Sequence, residues 1–221
     1  MNKVQKLLSQ IFLKIKKFYH SFFYDYTFEL KKVLKNCNSV LDVGCGKSSP
    51  VQFLSGKCYL VGVDSFKISI NKSKNKNIHN KYYVMNVMNI NKKFKDNSFD
   101  CVVALDLIEH LEKKDGEKLI KMMEKIARKK IVIFTPNGFL EQKVYDNNQF
   151  QKHKSGWTVS EMRKKGYDVI GIGGYKKLRG EFAQIKYSPK TFWGLISNLS
   201  QKIFKNFPKY SFQILCIKIK K

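Results

Sequence analysis

The sequence predicts an α/β fold: a doubly wound, mainly parallel seven-stranded sheet with helices on both faces and its last strand antiparallel. Three observations predict it. From Ser39 onward, short apolar runs alternate with longer amphipathic segments, the order in which crossover helices separate parallel strands. The first run leads into a glycine-punctuated turn, Gly44-Cys45-Gly46. Asp42, Asp64 and Asp106 each stand at the end of an apolar strand, in a chain with only 17 acidic residues.

Ahead of this pattern lies a basic segment, residues 1–38. Val4, Leu7, Leu8, Ile11, Ile15, Phe18, Phe22 and Tyr26 recur there at helical spacing, with Lys3, Lys6, Lys14 and Lys17 on the remaining arc. Such a helix packs on the domain, caps the substrate or lies on a membrane surface. Strands are expected at 39–43, 59–63, 82–85, 100–105, 130–134, 169–171 and 212–218, with helices between most of them. The last run, Gln213-Ile214-Leu215-Cys216-Ile217, has no helix after it and enters antiparallel.

A chain of 221 residues with 43% hydrophobic side chains closes one full core, which excludes disorder as its theme. With 43 Lys and Arg against 17 Asp and Glu, the net charge of +26 favours anionic company: phosphate esters, acidic glycans, anionic lipid or nucleic acid. Arg128, Arg163 and Arg179 are the only arginines. Lysine is a point charge without the planar fork suited to base edges, which argues against nucleic acid. The five cysteines, Cys37, Cys45, Cys58, Cys101 and Cys216, are odd in number and form no C-x-x-C pair. They read as reduced core thiols in a cytoplasmic protein. The longest charge-free run, Thr191 to Gln201, is well short of the ~20 residues that span a bilayer.

The chemistry concentrates after the first strand. Gly44 and Gly46 let the backbone turn tightly and a ligand come close. Lys47 does not make a phosphate loop, because the glycine spacing fails. Asp64 ends the second strand about 20 residues after the turn, where an acid accepts the ribose hydroxyls of a nucleoside. Asp106, Glu109 and His110 stand at i, i+3 and i+4, one face of a helix at the carboxyl end of the sheet. His110 has three readings: general base for an acceptor hydroxyl, cation ligand together with Asp106 and Glu109, or a brace for the helix. Further on, Thr158 and Glu161 have capping-box spacing and Gly166 closes the short helix. His153 and Trp157 lie on the loop entering it, where Trp157 either stacks on a ring-shaped acceptor or fills a core gap.

The run Leu41-Asp42-Val43-Gly44-Cys45-Gly46, followed by Val61-Gly62-Val63-Asp64, resembles class I S-adenosylmethionine-dependent methyltransferases. Phe99 to Ala104 resembles their fourth strand, Leu107-Ile108-Glu109-His110-Leu111 the helix entry after it, and Ile131 to Asn137 their fifth strand and loop. The resemblance implies a Rossmann-like fold, S-adenosylmethionine as cofactor, and a domain over 39–221 in which 138–210 forms the acceptor-side cap. It places Gly44 and Gly46 at the methionine part, Asp64 on the ribose, and Ser65 and Phe66 beside the adenine. Asn86, followed by Val87, stands where the family usually has an acid near the adenine amino group, and its side-chain carbonyl can accept from that group. Asp42, Cys45 and Leu105 complete the implied cofactor contacts.

On the acceptor side the resemblance implies catalysis by His110 with Glu109 and Asp106, and substrate contacts from Asn137, His153 and Trp157. A Glu-His pair similar to Glu109-His110 occurs in metal-assisted O-methyltransferases of the ubiquinone pathway, but the leading reading requires no metal. The implied reaction is methyl transfer to a hydroxyl of a small molecule, glycan or lipid-linked acceptor, by a monomer or homodimer. The apolar run Phe192 to Phe204, flanked by Lys190, Lys202 and Lys205, either joins the basic N-terminal helix in a patch for peripheral contact with an anionic inner membrane face or is a cap helix buried over the active site. The alternatives are an RNA methyltransferase and a cofactor-binding or membrane-tethered module without catalysis. Base-amine methyltransferases carry an Asn/Asp-Pro-Pro-aromatic signature where this chain reads Asp106-Leu107-Ile108-Glu109. The His, Gly-Trp and Leu178-Arg179-Gly180-Glu181 pattern is similar to that of bacterial and archaeal methyltransferases, some of which accompany glycan biosynthesis.

Overall fold

The computed structural model describes residues 26–142 and 151–220. Most of the basic N-terminal segment lies outside them; its end, α1 (Tyr26–Leu34), is helical. The sheet has seven strands in the order β3-β2-β1-β4-β5-β7-β6. They are β1 (Ser39–Val43), β2 (Tyr59–Asp64), β3 (Lys81–Val84), β4 (Phe99–Leu105), β5 (Ala127–Pro136), β6 (Asp168–Tyr175) and β7 (Ser211–Ile219). The pairs among β1 to β5 are parallel, whereas β7 runs antiparallel to both β5 and β6. The chain starts at the centre, winds out to β3 and returns to β4. The switch point between β1 and β4 is where such sheets bind ligands.

Alternation along each strand explains the two cores. Leu41, Val43, Val61, Val63, Val102 and Ala104 point to one face, where Leu119, Met123 and Ile126 of α4 (Lys113–Ile126) cover them. Val40, Leu60, Cys101, Val103 and Leu105 point to the other, against Leu30 and Leu34 of α1. Strands buried on both faces read as unbroken apolar runs, which is why the central five were legible. β6 is longer than the expected 169–171, because Gly171, Gly173 and Gly174 conceal it from a hydrophobic pattern while its pairing with β7 continues to Tyr175. The remaining helices are α2 (Lys67–Asn75), α3 (Ile90–Lys93), α5 (Val159–Lys164) and α6 (Lys190–Phe204). α5 carries the expected capping box, with Thr158 and Glu161 bonding reciprocally. All five cysteines are free and buried.

Candidate active site

At the carboxyl end of β1 the Gly44 and Cys45 N–H groups both donate to Val63 O, clamping the turn onto β2. Gly44 has φ +73° and a side chain there would strike Leu107, while Gly46 has φ +57° and nothing within 4 Å of a Cβ position. The turn therefore shows bare backbone to a cavity of about 540 Å³ lined by Gly44, Gly46, Asp64, Ser65, Phe66, Asn86, Val87 and His110, among others. Asp64 is held from both sides: Gly46 N–H donates to Oδ2 at 2.9 Å and Phe66 N–H to Oδ1 at 2.7 Å. Each oxygen keeps a second lone pair, which suits a vicinal diol. Burial raises the Asp64 pKa, opposed by those two N–H bonds.

Three residues expected along the cofactor stand elsewhere. Asp42 is buried behind the turn, with Oδ2 2.8 Å from Nε2 of the equally buried His79. It braces the turn from beneath, and no sequence pattern had singled out His79. The Cys45 thiol faces Gly62, where a Cβ would lie 3.0 Å from its Sγ, and burial pushes that thiol up. Leu105 belongs to the core. Asn86 lines the cavity, but its carbonyl oxygen accepts from Met88 N–H at 2.9 Å, leaving one lone pair for a ligand.

The second half of the site departs from the helical-face expectation. Asp106 takes a left-handed φ of 52° immediately after β4. A short 3₁₀ turn, Ile108–His110, follows, and α4 begins only at Lys113. Glu109 turns inward, where Thr135 Oγ1 donates to its Oε2 at 3.0 Å. Asp106 and His110 remain at the junction of the first cavity with a second of about 390 Å³.

A distant loop completes this corner. Lys154 and Ser155 N–H donate to Glu109 O at 2.7 and 3.1 Å. That stitch brings His153 to His110, ring centroids 4.8 Å apart. Trp157 presses the loop in place. It is fully buried in the core, its Nε1 donates to Ile108 O and Ser155 Oγ, and Lys113 Nζ sits 3.7 Å above its ring. Acceptor stacking is thus closed to Trp157, whose indole lines neither cavity. Asn137 is likewise occupied, its amide donating to the carbonyls of Pro208, Lys209 and Ser211. His153 does line the second cavity, as do Phe182 and the amides of Gln142, Gln151 and Gln213, which the sequence reading had not marked.

Glu109, His110 and His153 offer three ligand atoms all within 4.8 Å of one another. Burial lowers the His110 pKa to about 4, helped by the neighbouring His153, and burial also lowers His153. Both rings are therefore neutral near physiological pH. His110 Nδ1 lies 3.3 Å from Lys152 O and His153 Nδ1 2.6 Å from Leu140 O. Carbonyls only accept, so each Nδ1 carries the proton and each Nε2 presents a lone pair. Burial, and then the charge of Asp106, raise Glu109 far above the usual carboxylate range. Two imidazole lone pairs beside a buried carboxyl form a donor set that fits a divalent cation.

Residues 41–134 match a family described as a methyltransferase domain. The small RNA 2'-O-methyltransferase of Tetrahymena thermophila is 28% identical over 64% of this chain and 42% of its own length. The chain thus spans about two fifths of that relative. Among solved structures, a SAM-dependent methyltransferase from Archaeoglobus fulgidus superposes with a TM-score of 0.58 at 19% identity, over 88% of this chain and 92% of the other. The methyltransferase domain of bacterial CtHen1 superposes with a TM-score of 0.54 at 18% identity, over 88% and 97%. Phosphoethanolamine N-methyltransferase 2 of Haemonchus contortus, solved with S-adenosyl-L-methionine, gives 0.55 at 17% identity, over 86% and 51%. That domain lies over the central strands and the neighbours' fold surrounds it, which supports a class I S-adenosylmethionine-dependent methyltransferase.

Proposed function

We propose that this protein transfers a methyl group from S-adenosylmethionine to a sugar hydroxyl of a glycan, lipid-linked or small-molecule acceptor, with a divalent cation at Glu109, His110 and His153. The donor cluster carries this reading, because it opens where the two cavities meet. When bound, S-adenosylmethionine supplies an electrophilic methyl group on a sulfonium. Asp64 holds its ribose, and the bare backbone at Gly46 receives its methionine part. A cation would lower the pKa of an acceptor hydroxyl. Glu109 Oε2 is kept by Thr135, which leaves Oε1 for the ion. Asp106, which lines both cavities, has in its ionised form the carboxylate placed to take up the hydroxyl proton. Gln142, Gln151 and Gln213 suit the hydroxyls of a sugar, and Phe182 and Phe212 its apolar face.

A second acceptor, the terminal ribose of an RNA, is favoured by the Tetrahymena relative and by the net charge of +26. It offers the same chemistry to the same site, and it predicts binding that falls steeply with salt. The test is radiolabelled methyl transfer to oligosaccharides, lipid-linked sugars and RNA, with manganese, magnesium or EDTA. Turnover abolished by EDTA and restored by manganese supports the reading. Turnover indifferent to EDTA would assign His110 to proton transfer alone and remove the cation.

A further inference from the structure

A surface helix ordinarily buries its apolar side. α6 is inverted. Its inward positions Ser197 and Gln201 are 0% and 2% exposed, while Phe192, Leu195, Leu199 and Ile203 are 54%, 45%, 44% and 60% exposed. Those four recur at intervals of three, four and four, one stripe along the outer face, and Phe207 at 58% prolongs it.

The pose is fixed by polar bonds to β6 and to Arg179 just beyond it. Gln201 Nε2 donates to Gly171 O at 2.8 Å, and its Oε1 accepts from Gly174 N–H at 2.8 Å. Tyr175 N–H donates to Ser200 Oγ at 3.0 Å, and Arg179 Nε to Ser197 Oγ at 2.9 Å. The backbones also touch: a Cβ at Gly171 or Gly174 would lie 2.0 Å from Phe204 O or Ser197 O. Rolling the helix to hide its stripe would orphan those buried groups. The apolar face is therefore presented outward by construction.

Charge says what it meets. From Phe182 to the final Lys221 there is no Asp or Glu, and Lys186, Lys190, Lys202 and Lys209 are exposed around the stripe. A second copy would set lysine against lysine with no acid between, and the middle of the stripe, Leu195, Leu199 and Ile203, offers a nucleic acid neither a stacking ring nor a hydrogen bond. No helix among the described residues is long and apolar enough to cross a membrane. We infer that the outer face of α6 lies in the plane of an anionic bilayer, its stripe among the acyl chains and its lysines at the headgroups.

The test is sedimentation of the full chain with phosphatidylcholine vesicles, with and without phosphatidylglycerol, for wild type and the double variant Leu199→Ser, Ile203→Ser. Wild type should partition onto the anionic vesicles at least ~10-fold more strongly than the double variant, with S-adenosylmethionine affinity equal in the two. Trp193, on the same helix, gives a readout without substitution: brominated lipid should quench it in wild type. Equal partitioning of both proteins, or no quenching of Trp193, would overturn the proposal by leaving only lysine electrostatics. So would a dimer that the substitutions dissociate, because a second copy would then cover the face.

Discussion

The two halves of the site are made in different ways. The cofactor half, from Gly44 to Val87, works largely with backbone: two glycines, a pair of N–H groups on Val63 O and two more on Asp64. The acceptor half works with side chains brought from far apart, His153 meeting His110 across 43 positions because a buried tryptophan holds a loop against a 3₁₀ turn. A backbone cradle tolerates changes in its neighbours, whereas a side-chain corner depends on each piece that positions it. Substitutions in the two halves should therefore fail in different ways.

The largest effect is expected at Trp157. Trp157→Ala empties a fully buried site and releases the 153–157 loop, so thermal or denaturant unfolding should report a loss of about 3–5 kcal/mol. If stability holds, the indole is not the brace described here. Next comes Asp64→Ala, which removes the carboxylate proposed to hold the ribose and the partner of two N–H groups. Calorimetric titration should show S-adenosylmethionine affinity weakened by about 3 kcal/mol, or ~150-fold.

His153→Ala should be the mirror image: turnover down about 100-fold, with cofactor affinity within about twofold. Loss of cofactor binding in that variant would erase the distinction between the halves. The smallest effect lies away from both. Burial raises the Asp100 pKa, but hydrogen bonds from Arg128, Asn38 N–H and Lys129 outweigh it and hold the carboxyl at about 2. A depressed carboxylate stabilises the fold above its ordinary value near ~4 and loses that contribution as the pH falls toward its folded value. Asp100→Asn should thus cost about 1–2 kcal/mol near neutrality, the deficit shrinking as denaturation is measured at progressively lower pH.

The same division explains what could be read in the sequence. All seven strands were legible because apolar runs and strand-end acids are local signals, and the cofactor turn is local too. The acceptor side was misread where a residue's neighbours are remote. Asp106, Glu109 and His110 look like one helical face, but the left-handed Asp106 breaks the helix before it starts. For Trp157 the sequence leaves stacking and core filling both open, because nothing nearby in sequence announces the pocket under Gly116, where a Cβ would lie 2.5 Å from the indole. Gln142, Gln151 and Gln213 have no pattern at all until β7 and the loops fold together. The resemblance implies Asp42 as a cofactor contact, whereas the side chain pairs with His79, 37 residues away in sequence.

Manganese binding followed by electron paramagnetic resonance tests the proposed cation site at Glu109, His110 and His153 without an acceptor. Glu109→Gln is the informative comparison, since burial already favours the neutral acid and the amide fills the same space. Wild type with demethylated cofactor should take up manganese at one site, and Glu109→Gln and His153→Ala should lose it while keeping cofactor affinity. Equal uptake by all three proteins, or none by wild type, would contradict it.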